Sequence, residues 1–568
     1  MADFSFRTRE TNLKRFREET FDLLVIGGGI TGAAVARDAA SRGLRVALVE
    51  KSDFAQGTSS RSTKLIHGGL RYLENFEFKL VFEALSERSH LMKTMPHLVR
   101  PLPFYFPVFE GDRNSKTKVG LGMWFYDLLA LFRTPGFHKN LSREGFLKDV
   151  PFLKADGLVG GYRYFDASMW DDVMVVEVLR SAQVLGAAIA NYTEAIAPIW
   201  KGDQVVGYRV RDRELRMGQA KQKPEFDLKA KRTVICGGPW TDQLGLKMDP
   251  NWRAWIKPSK GVHLVFDWKK IPIPGALVMS HPSDGRISFV IPRPDLGAGV
   301  VIVGTTDGPT PTNPEDAKVD EGDIEYLLKL VQSYFPSLAI TRDDILSTYV
   351  GVRPLMDPDY GKKAGAGGKS LQKVSREHHI EKIPGGIVVV AGGKYTTHRT
   401  MAQEIVDEVL SSWRQDARAG KCDPLPRIES PHTRSPVNPK AISRERTASE
   451  VWAKEKAIQI PEAIWDRYGA EAIDLHEIAH RNISKSAEAK DGRDPDGFPW
   501  LDAQLRFAVR NGMVMHLDDF FRRRTPLYLS RKDHGYPWAK RLVRVFMDEM
   551  EPGTVDAEAE LARLNLHS

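Results

Sequence analysis

Short apolar runs that end in glycine recur along this chain. The first, residues 23–26, leads into the glycine-rich segment 27–32 and then into an alanine-rich stretch with helical spacing that reaches Arg42. An apolar run that breaks at glycine predicts a buried strand and a tight turn, and the spacing after it predicts a helix. A second apolar run, residues 46–49, ends in Glu50. We therefore predict a strand–turn–helix–strand unit near the start of the chain.

The glycines of this unit have the spacing of a dinucleotide-binding turn. Gly27 permits the tight turn, Gly29 lets the backbone approach a pyrophosphate, and Gly32 allows the helix to pack closely on the strand. The helix start offers free N–H groups to the phosphates. Glu50 lies where an acidic side chain binds a ribose hydroxyl. Because Glu50 would repel a 2′-phosphate, the motif disfavours NADP and leaves NAD and FAD open.

Two later segments have the same pattern of an apolar strand that ends in glycine. Residues 232–238 and 385–393 each run from an apolar strand into paired glycines. We expect both strands to return beneath the same cofactor, although they lie far from the first unit in the sequence. The cofactor domain is therefore predicted to be discontinuous, with a second sheet inserted between its pieces.

The segment after the second strand, TSSRSTKLIHGGLRY at residues 58–72, bears on the choice of cofactor. Its hydroxyl groups and Lys64 can hydrogen-bond a long dinucleotide along its length. Its paired glycines, Gly68 and Gly69, allow the backbone to lie against a planar ring. These features favour FAD.

At these residues the sequence resembles the FAD-dependent glycerol-3-phosphate dehydrogenases. The similar segments are SSRSTKLIHGGLRYLENFEFKLVFEAL at 59–85, GTTD at 304–307, GVRPL at 351–355, GGKYTTHR at 392–399 and AVRNGMVMHLDDFFRRRTPL at 508–527. The resemblance covers nearly the whole chain. Two residues beside the predicted site depart from the family pattern: Val262 stands where relatives have serine, and Tyr395 where leucine is frequent.

The resemblance implies an α/β fold in three parts. These are a Rossmann-like FAD-binding domain of the glutathione-reductase/D-amino-acid-oxidase type, an inserted antiparallel-sheet substrate domain and an all-α C-terminal domain. We predict the FAD-binding domain within 15–420 at about 15–95, 160–255 and 345–420, the substrate domain at 96–159 and 256–344, a proline-rich linker at 421–440 and the helical domain at 441–555.

FAD is the cofactor that the resemblance implies. The residues expected to bind it are Gly27, Gly29, Ile30, Thr31, Gly32, Glu50, Lys51, Thr58, Ser59, Ser60, Ser62, Lys64, Leu65, His67, Gly68, Gly69, Gly237, Trp240, Arg353, Gly393, Lys394, Tyr395, Thr396 and Thr397. Lys394 is also expected to stabilise the reduced, anionic flavin. No metal is expected.

Binding of a phosphorylated substrate requires a clamp for the phosphate. Arg353 stands between glycine and proline, where a rigid turn can hold its guanidinium for bidentate phosphate binding. With the resemblance, Arg71 becomes the second arginine of the clamp. The other residues expected to contact substrate are Tyr72, His263, Asp307 and Arg376.

Oxidation of a secondary alcohol also requires a group that takes the hydroxyl proton as hydride leaves. Histidine suits this role because its unperturbed pKa lies near working pH. His67 and His263 are the candidates, and the sequence does not choose between them.

The expected reaction is oxidation of sn-glycerol 3-phosphate to dihydroxyacetone phosphate by hydride transfer to FAD, with electrons passed to a membrane quinone. One alternative is an oxidase that uses oxygen and forms hydrogen peroxide. Two others are an FAD-dependent amine or amino-acid oxidase and a non-catalytic flavoprotein.

The charge of the chain points to anionic partners. A net charge of +8 and a pI near 9.1 suit a phosphorylated substrate and an anionic membrane surface. The sequence has no nucleic-acid-binding motif. Its two cysteines and its N-terminus, which lacks a signal-like apolar core, favour a cytoplasmic protein. With the membrane quinone that the resemblance implies, we expect the protein to be peripheral on the inner face of the cytoplasmic membrane. The sequence leaves open whether the chain forms a homodimer.

Two segments are expected to have ordinary structural roles. Residues 119–132 form the most apolar window, but they are too few to span a bilayer and include Asp127. We expect this helix to pack inside the protein, with an interfacial helix as the alternative. Residues 522–524, three arginines, are expected to be a solvated helix end and not a docking patch.

Overall fold

The structure of the chain is a computed structural model. The structure describes residues 3–70, 73, 77–214, 223–249, 251–357, 360, 378–419, 422, 449–451, 453–456, 458–483 and 500–565. Most of the predicted linker 421–440 lies outside these residues.

The helices of the described chain are α1 (Phe6–Glu18), α2 (Ile30–Ser41), α3 (Phe78–Thr94), α4 (Lys116–Leu129), α5 (Arg143–Asp149), α6 (Asp171–Val184), α7 (Thr241–Met248), α8 (Glu321–Tyr334), α9 (His398–Arg418), α10 (Glu462–Tyr468), α11 (Ala472–Ile483), α12 (Leu501–Asn511), α13 (Leu517–Arg523), α14 (Leu527–Ser530), α15 (Ala539–Glu549) and α16 (Ala557–Asn565).

The strands are β1 (Thr20–Ile26), β2 (Val46–Val49), β3 (Leu65–Ile66), β4 (Val99–Phe109), β5 (Lys139–Leu141), β6 (Leu158–Met169), β7 (Ala188–Ala190), β8 (Thr193–Lys201), β9 (Gln204–Asp212), β10 (Glu225–Ile235), β11 (Ser259–Asp267), β12 (Ala276–Ser280), β13 (Ile287–Arg293), β14 (Val300–Gly304), β15 (Gly308–Pro309), β16 (Ile345–Arg353), β17 (His378–Ile383) and β18 (Ile387–Gly392).

The first sheet brings together the strands that precede the glycine segments. Its order is β17-β18-β10-β1-β2-β7, and β18, β10, β1, β2 and β7 run parallel. The predicted convergence of the three segments is therefore confirmed. Leu23 and Val25 of β1 pack in the core that contains α2, α6 and α9, whereas Leu24 and Ile26 pack with α1 on the other face. Burial on both faces explains why these strands are apolar without alternation.

The second sheet is mostly antiparallel and lies beside the first. Its order is β15-β11-β14-β13-β12-β4-β6-β3, with β16 paired to β11 and β5 to β6. Strand β11 runs between β14 and β16, which places His263 opposite Gly304 on one side and Tyr349 on the other. Helix α8 covers the face that points away from the first sheet.

The predicted domain ranges stay predictions. Strands β6 and β16 hydrogen-bond within the second sheet, although the predicted ranges assigned most of β6 and all of β16 to the cofactor domain. A strand belongs to the sheet in which it finds its partners, and those partners are distant in the sequence.

The C-terminal helices pack against the first unit of the chain. Arg523 and Arg524 at the end of α13 are buried and form ion pairs with Asp53, which is fully buried. The prediction that residues 522–524 form a solvated helix end is therefore wrong for these two arginines. Asp53 is 470 residues away from Arg523, so no local pattern indicated the contact.

Helix α4 is buried on one face only. Val119, Met123 and Tyr126 pack inward, whereas Leu121 and Trp124 are 68% and 63% exposed. The prediction that this window packs inside the protein is therefore wrong for its outer face. In the described residues, no helix has both the length and the apolar character needed to cross a bilayer.

The contact between α2 and the glycine turn gives a prediction. A Cβ added at Gly32 would lie 1.9 Å from the carbonyl oxygen of Gly27. Gly32→Ala should therefore lower the free energy of unfolding by about 2 kcal/mol or more, as measured by chemical denaturation. Gly122→Ala in α4, where nothing lies within 4 Å of the added Cβ, is the control. It should raise the free energy of unfolding by about 0.5–1 kcal/mol. Equal stability of the two variants would contradict the close packing.

Candidate functional site

A cavity of about 950 Å³ lies between the two sheets. Its walls come from the glycine turn, the segment 56–67, the ends of β10 and β18 and the facing strands β11 and β16. The glycine segments therefore share one cavity because parallel strands present their carboxyl ends at one edge of the sheet.

The glycine turn and Glu50 form one end of this cavity. Gly27 has φ of +114°, a conformation that favours glycine. Glu50 accepts hydrogen bonds from the N–H of Gly28 at 2.7 Å and of Ser52 at 2.9 Å. Burial raises the pKa of Glu50, while these two hydrogen bonds act in the opposite direction. The carboxyl group is thus fixed beside the turn, where the motif requires a ribose-binding group.

The start of α2 has the features of a pyrophosphate site. Its N-cap residue, Gly29, provides no side-chain cap, and Gly29, Ile30 and Thr31 line the cavity. Ser59 lies against this turn and accepts a hydrogen bond from the N–H of Ile30 at 3.0 Å. A Cβ on Gly29 would approach the Ser59 hydroxyl to 3.1 Å. A helix start whose N-cap residue has no side chain fits the diphosphate of a dinucleotide.

Trp240 forms another wall, next to the segment 56–58. The Lys51 ammonium lies 4.4 Å from the centre of its ring, and a Cβ on Gly57 would approach the ring to 2.9 Å. The indole N–H is buried and makes no hydrogen bond to any described residue. It is a buried donor at the edge of the cavity.

The segment 58–67 is held by contacts to both sheets. Thr58 donates a hydrogen bond to the carbonyl of Val352 at 2.6 Å. Ser62 donates to the carboxylate of Asp171 at 2.7 Å, and the Lys64 ammonium lies 2.5 Å from the same carboxylate. Lys64 is therefore part of a buried ion pair that orients the segment, and it does not itself line the cavity.

Arg353 reaches the cavity from the end of β16. Its guanidinium donates to the hydroxyl of Thr305 at 2.7 Å and lies 3.7 Å from the carboxylate of Asp307. Asp307 also accepts a hydrogen bond from Ser259 and lies 3.4 Å from Arg286. Asp307 thus fixes the direction of Arg353 but is not among the cavity residues.

His263 and His67 both line the cavity. The ring of His263 stacks on Tyr349 with centres 4.5 Å apart, and its Nε2 lies 3.2 Å from the Thr63 hydroxyl. Its Nδ1 is buried and has no hydrogen-bond partner among the described residues. Burial, followed by the charges of Arg353 and Lys64, holds the pKa of His263 well below its usual value. The ring is therefore neutral at physiological pH.

The backbone next to His67 is fixed from behind by a buried network. The N–H of Gly68 donates to the Tyr126 hydroxyl at 2.9 Å, and Tyr126 in turn donates to Asp166 at 2.8 Å. Asp166 pairs with Arg88 at 2.5 Å. This network connects the inner face of α4 to the cavity wall.

Most of the predicted site residues share this cavity. Those that line it are Gly27, Gly29, Ile30, Thr31, Gly32, Glu50, Lys51, Thr58, Ser59, Ser62, Leu65, His67, Gly237, Trp240, His263, Arg353, Gly393, Lys394, Tyr395 and Thr396. The predicted residues that do not line it are Ser60, Lys64, Gly68, Gly69, Asp307 and Thr397. Arg71, Tyr72 and Arg376 lie outside the described residues.

Several residues around the cavity were not predicted from the sequence. Arg61 and Thr63 line it within a segment that had been singled out. Asp171, which pairs with Lys64, was not among the predicted site residues. Tyr349, which stacks on His263, carried no signal in the sequence.

Comparison with known proteins identifies the family. Residues 22–407 match the family model described as FAD dependent oxidoreductase, and residues 442–553 match the C-terminal domain of alpha-glycerophosphate oxidase. The chain is 34% identical over 526 residues to aerobic glycerol-3-phosphate dehydrogenase of Staphylococcus haemolyticus, covering 91% of this chain and 88% of the relative. It is 34% identical to the Bacillus subtilis protein of the same name, covering 92% and 90%.

Solved structures agree with this family. The glycerol-3-phosphate dehydrogenase of Bacillus halodurans, solved in complex with FAD, matches with a TM-score of 0.75 and 26% identity, over 99% of this chain and 97% of that one. Glycine oxidase of Bacillus cereus shares the fold, with a TM-score of 0.51 and 18% identity over 70% of this chain and 97% of that one.

The predictions of the fold class and of FAD as the cofactor are confirmed. The cavity fits that cofactor because it combines a helix start with glycine at its N-cap, a carboxylate fixed at the ribose position and a long wall of backbone and hydroxyl groups. This chain belongs to the FAD-dependent oxidoreductases and, within them, to the family of the aerobic glycerol-3-phosphate dehydrogenases.

Proposed function

We propose that this protein oxidises sn-glycerol 3-phosphate to dihydroxyacetone phosphate. The observation that carries the proposal is one cavity in which a dinucleotide turn, a fixed arginine and two histidines meet. FAD, when bound, supplies the hydride acceptor. The protein must then bind the phosphate, orient the secondary alcohol and accept its proton.

Arg353 is the proposed phosphate ligand. Its contacts with Asp307 and Thr305 restrict the guanidinium before substrate arrives, so little side-chain entropy is lost on binding. Arg353 lies on the cavity wall beside His263. The phosphate of the substrate can therefore bind Arg353 while its alcohol faces the neighbouring histidine. Arg71, Tyr72 and Arg376 remain further candidates for the clamp.

His263 is the proposed base, with His67 as the alternative. The low pKa of His263 keeps it neutral, and therefore able to accept a proton, down to acidic pH. The charge of Arg353 contributes to that low pKa, so a phosphate dianion bound to Arg353 would raise the basicity of the ring when substrate is present. His67 is half-buried on the same cavity wall, which supports the alternative.

Lys394 and the start of α9 are proposed to stabilise negative charge on the reduced cofactor. Lys394 lines the cavity immediately after β18, with Gly392 and Gly393. A cation and a helix start at the same place favour an anion electrostatically.

The first test of the function is anaerobic reduction. Addition of sn-glycerol 3-phosphate to the yellow, FAD-loaded protein should bleach the visible flavin band, whereas glycerol and glycine should not. A quinone analogue should restore the band quickly and air should restore it slowly. Rapid return with air and formation of peroxide would instead indicate the oxidase, and bleaching by glycine would indicate an amino-acid oxidase. No bleaching by any of these compounds would contradict the proposal.

The two proposed roles should separate in stopped-flow measurements of the anaerobic reduction. Arg353→Gln should raise the dissociation constant for substrate about 10- to 100-fold, because charge-assisted hydrogen bonds to the phosphate are lost. His263→Asn should lower the limiting rate about 100-fold or more, because the proton acceptor is lost. A loss of rate in His67→Asn but not in His263→Asn would assign the base to His67.

The controls for these variants are exposed residues of the same types. Arg342→Gln removes an arginine whose side chain is 58% exposed and paired with Glu321. His379→Asn removes a histidine that is 39% exposed and paired with Glu381. Both should behave as the wild type. Wild-type kinetics in Arg353→Gln and in both active-site histidine variants would overturn the assigned roles.

The finer proposal is that electrons pass to quinone at an anionic membrane, on its cytoplasmic face. Support comes from an apolar surface formed by Phe78, Phe82, Leu121, Trp124, Phe125, Leu128, Leu131, Phe132 and Phe137, each 37–68% exposed. These side chains lie on α3, on α4 and in the segment that follows α4, and Phe78 of α3 contacts Phe125 of α4. Exposed aromatic and aliphatic side chains on neighbouring helices are typical of interfacial membrane binding. Exposed Lys79, Lys118, Arg133 and Lys139 lie in the same segments and suit anionic headgroups.

Vesicle flotation tests this surface. Trp124→Glu together with Leu128→Glu should lower the fraction bound to phosphatidylglycerol-containing vesicles at least about fivefold, because apolar area is lost and the added negative charges are repelled by the anionic lipid. Trp200→Glu, which changes a tryptophan 45% exposed on β8, is the matched control and should bind as the wild type. Reduction of the flavin by substrate in solution should be unchanged in Trp124→Glu. Full binding of the double variant would contradict the assignment of the surface.

A further inference from the structure

We infer that the C-terminal helical domain is part of the FAD site: Arg523 and Arg524 hold the loop that carries the ribose-binding carboxylate, and Asp518 and Arg563 close the adenosine end of the cavity. This inference concerns retention of the cofactor and goes beyond the proposed reaction. It holds whatever the substrate and electron acceptor are.

The first observation is the buried carboxylate of Asp53. It accepts hydrogen bonds from Arg523 Nε at 2.5 Å and from Arg524 Nη1 and Nη2 at 3.0 and 2.9 Å. The amide of Asn191 also donates to it at 3.3 Å. Asp53 has no exposed surface, so its charge depends on these partners.

The two arginines are themselves fixed by the C-terminal domain. Arg523 donates to Asp519 in the same helix at 3.0 Å, and Arg524 donates to the carbonyl of Gly512 at 2.9 Å. The hydroxyl of Tyr192, a residue that lines the cavity, also donates to Asp519 at 2.6 Å. The domain therefore presents a rigid pair of guanidinium groups to Asp53.

Asp53 belongs to the loop that positions Glu50. This loop bonds to the glycine turn through the N–H of Ala55, which donates to the carbonyl of Gly28 at 3.1 Å. It also bonds to Glu50 through the N–H of Ser52. Phe54, next to Asp53, is fully buried and packs beside Gly28. A shift of Asp53 would thus move the contacts that hold the ribose carboxylate.

The second observation is independent of Asp53. Asp518 and Arg563, both from the C-terminal domain, line the cavity together with Tyr192, Arg213 and Glu214. Arg213 donates to the carbonyl of Lys51 at 3.1 Å, which places this group beside Glu50 and hence at the adenosine end.

A buried histidine joins these residues to the domain. His516 lies 2.9 Å from Glu214 and 2.8 Å from Glu560, which precedes Arg563 by one helical turn. Although burial opposes it, hydrogen bonds to Glu214 and Glu560 raise the pKa of His516 to about 10. The imidazolium of His516 therefore links Glu214, which lines the cavity, to helix α16, which carries Arg563.

The test measures cofactor binding by the full-length protein in the absence of substrate. FAD is removed, the apoprotein is titrated with FAD by fluorescence, and ADP and riboflavin are used as competitors. Arg524→Gln should raise the dissociation constant for FAD about tenfold or more, because the loop around Glu50 loses its anchor. Arg563→Gln should weaken FAD and ADP about threefold to tenfold and leave riboflavin unchanged, because only the adenosine end is altered.

Arg541→Gln is the matched control. Arg541 lies in the same domain and pairs with Asp502 at 3.1 Å, but its side chain is 43% exposed. This variant should bind FAD as the wild type. Arg563 is half-buried, whereas Arg524 is buried against Asp53, so Arg563→Gln decides the question even where Arg524→Gln does not fold. Folded Arg563→Gln protein with wild-type affinity for FAD and ADP would overturn the inference, as would an equal loss for riboflavin and ADP.

Discussion

Asp171 is the contact on which the arrangement of the site depends. It begins α6 directly after the strand β6 of the second sheet, is fully buried and pairs with the Lys64 ammonium. Ser62 donates to the same carboxylate, and the Tyr395 hydroxyl donates to the Asp171 carbonyl. One residue thus joins the segment 58–67, the start of α9 and the boundary between the sheets. A buried carboxylate at a helix start, opposite an ammonium group, is compensated by both the dipole and the ion pair.

The part of the site that could be predicted from the sequence is local. The glycine turn and Glu50 are recognisable because their spacing follows from one strand, one turn and one helix. The three parallel strands are recognisable because burial on both faces makes each of them apolar throughout. In each case the residues that cause the feature lie within one short segment.

The rest of the site depends on contacts between distant segments. Lys64 was expected to touch the cofactor, but its partner is Asp171, 107 residues later. Asp307 was expected to touch the substrate; it lies between β14 and β15, where it restrains Arg353 at the end of β16. The apolar spacing of α4 indicated a helix with an apolar face, but the spacing does not reveal whether another element covers that face.

The pairing of Asp53 with Arg523 and Arg524 also has a consequence for synthesis of the protein. The ribosome releases the dinucleotide unit first, but the arginines that compensate its buried carboxylate follow 470 residues later. Domains generally fold in the order in which they emerge. Here the buried carboxylate of the first unit to emerge lacks its partner arginines until almost the entire chain has been translated. The nucleotide site is therefore completed late in translation.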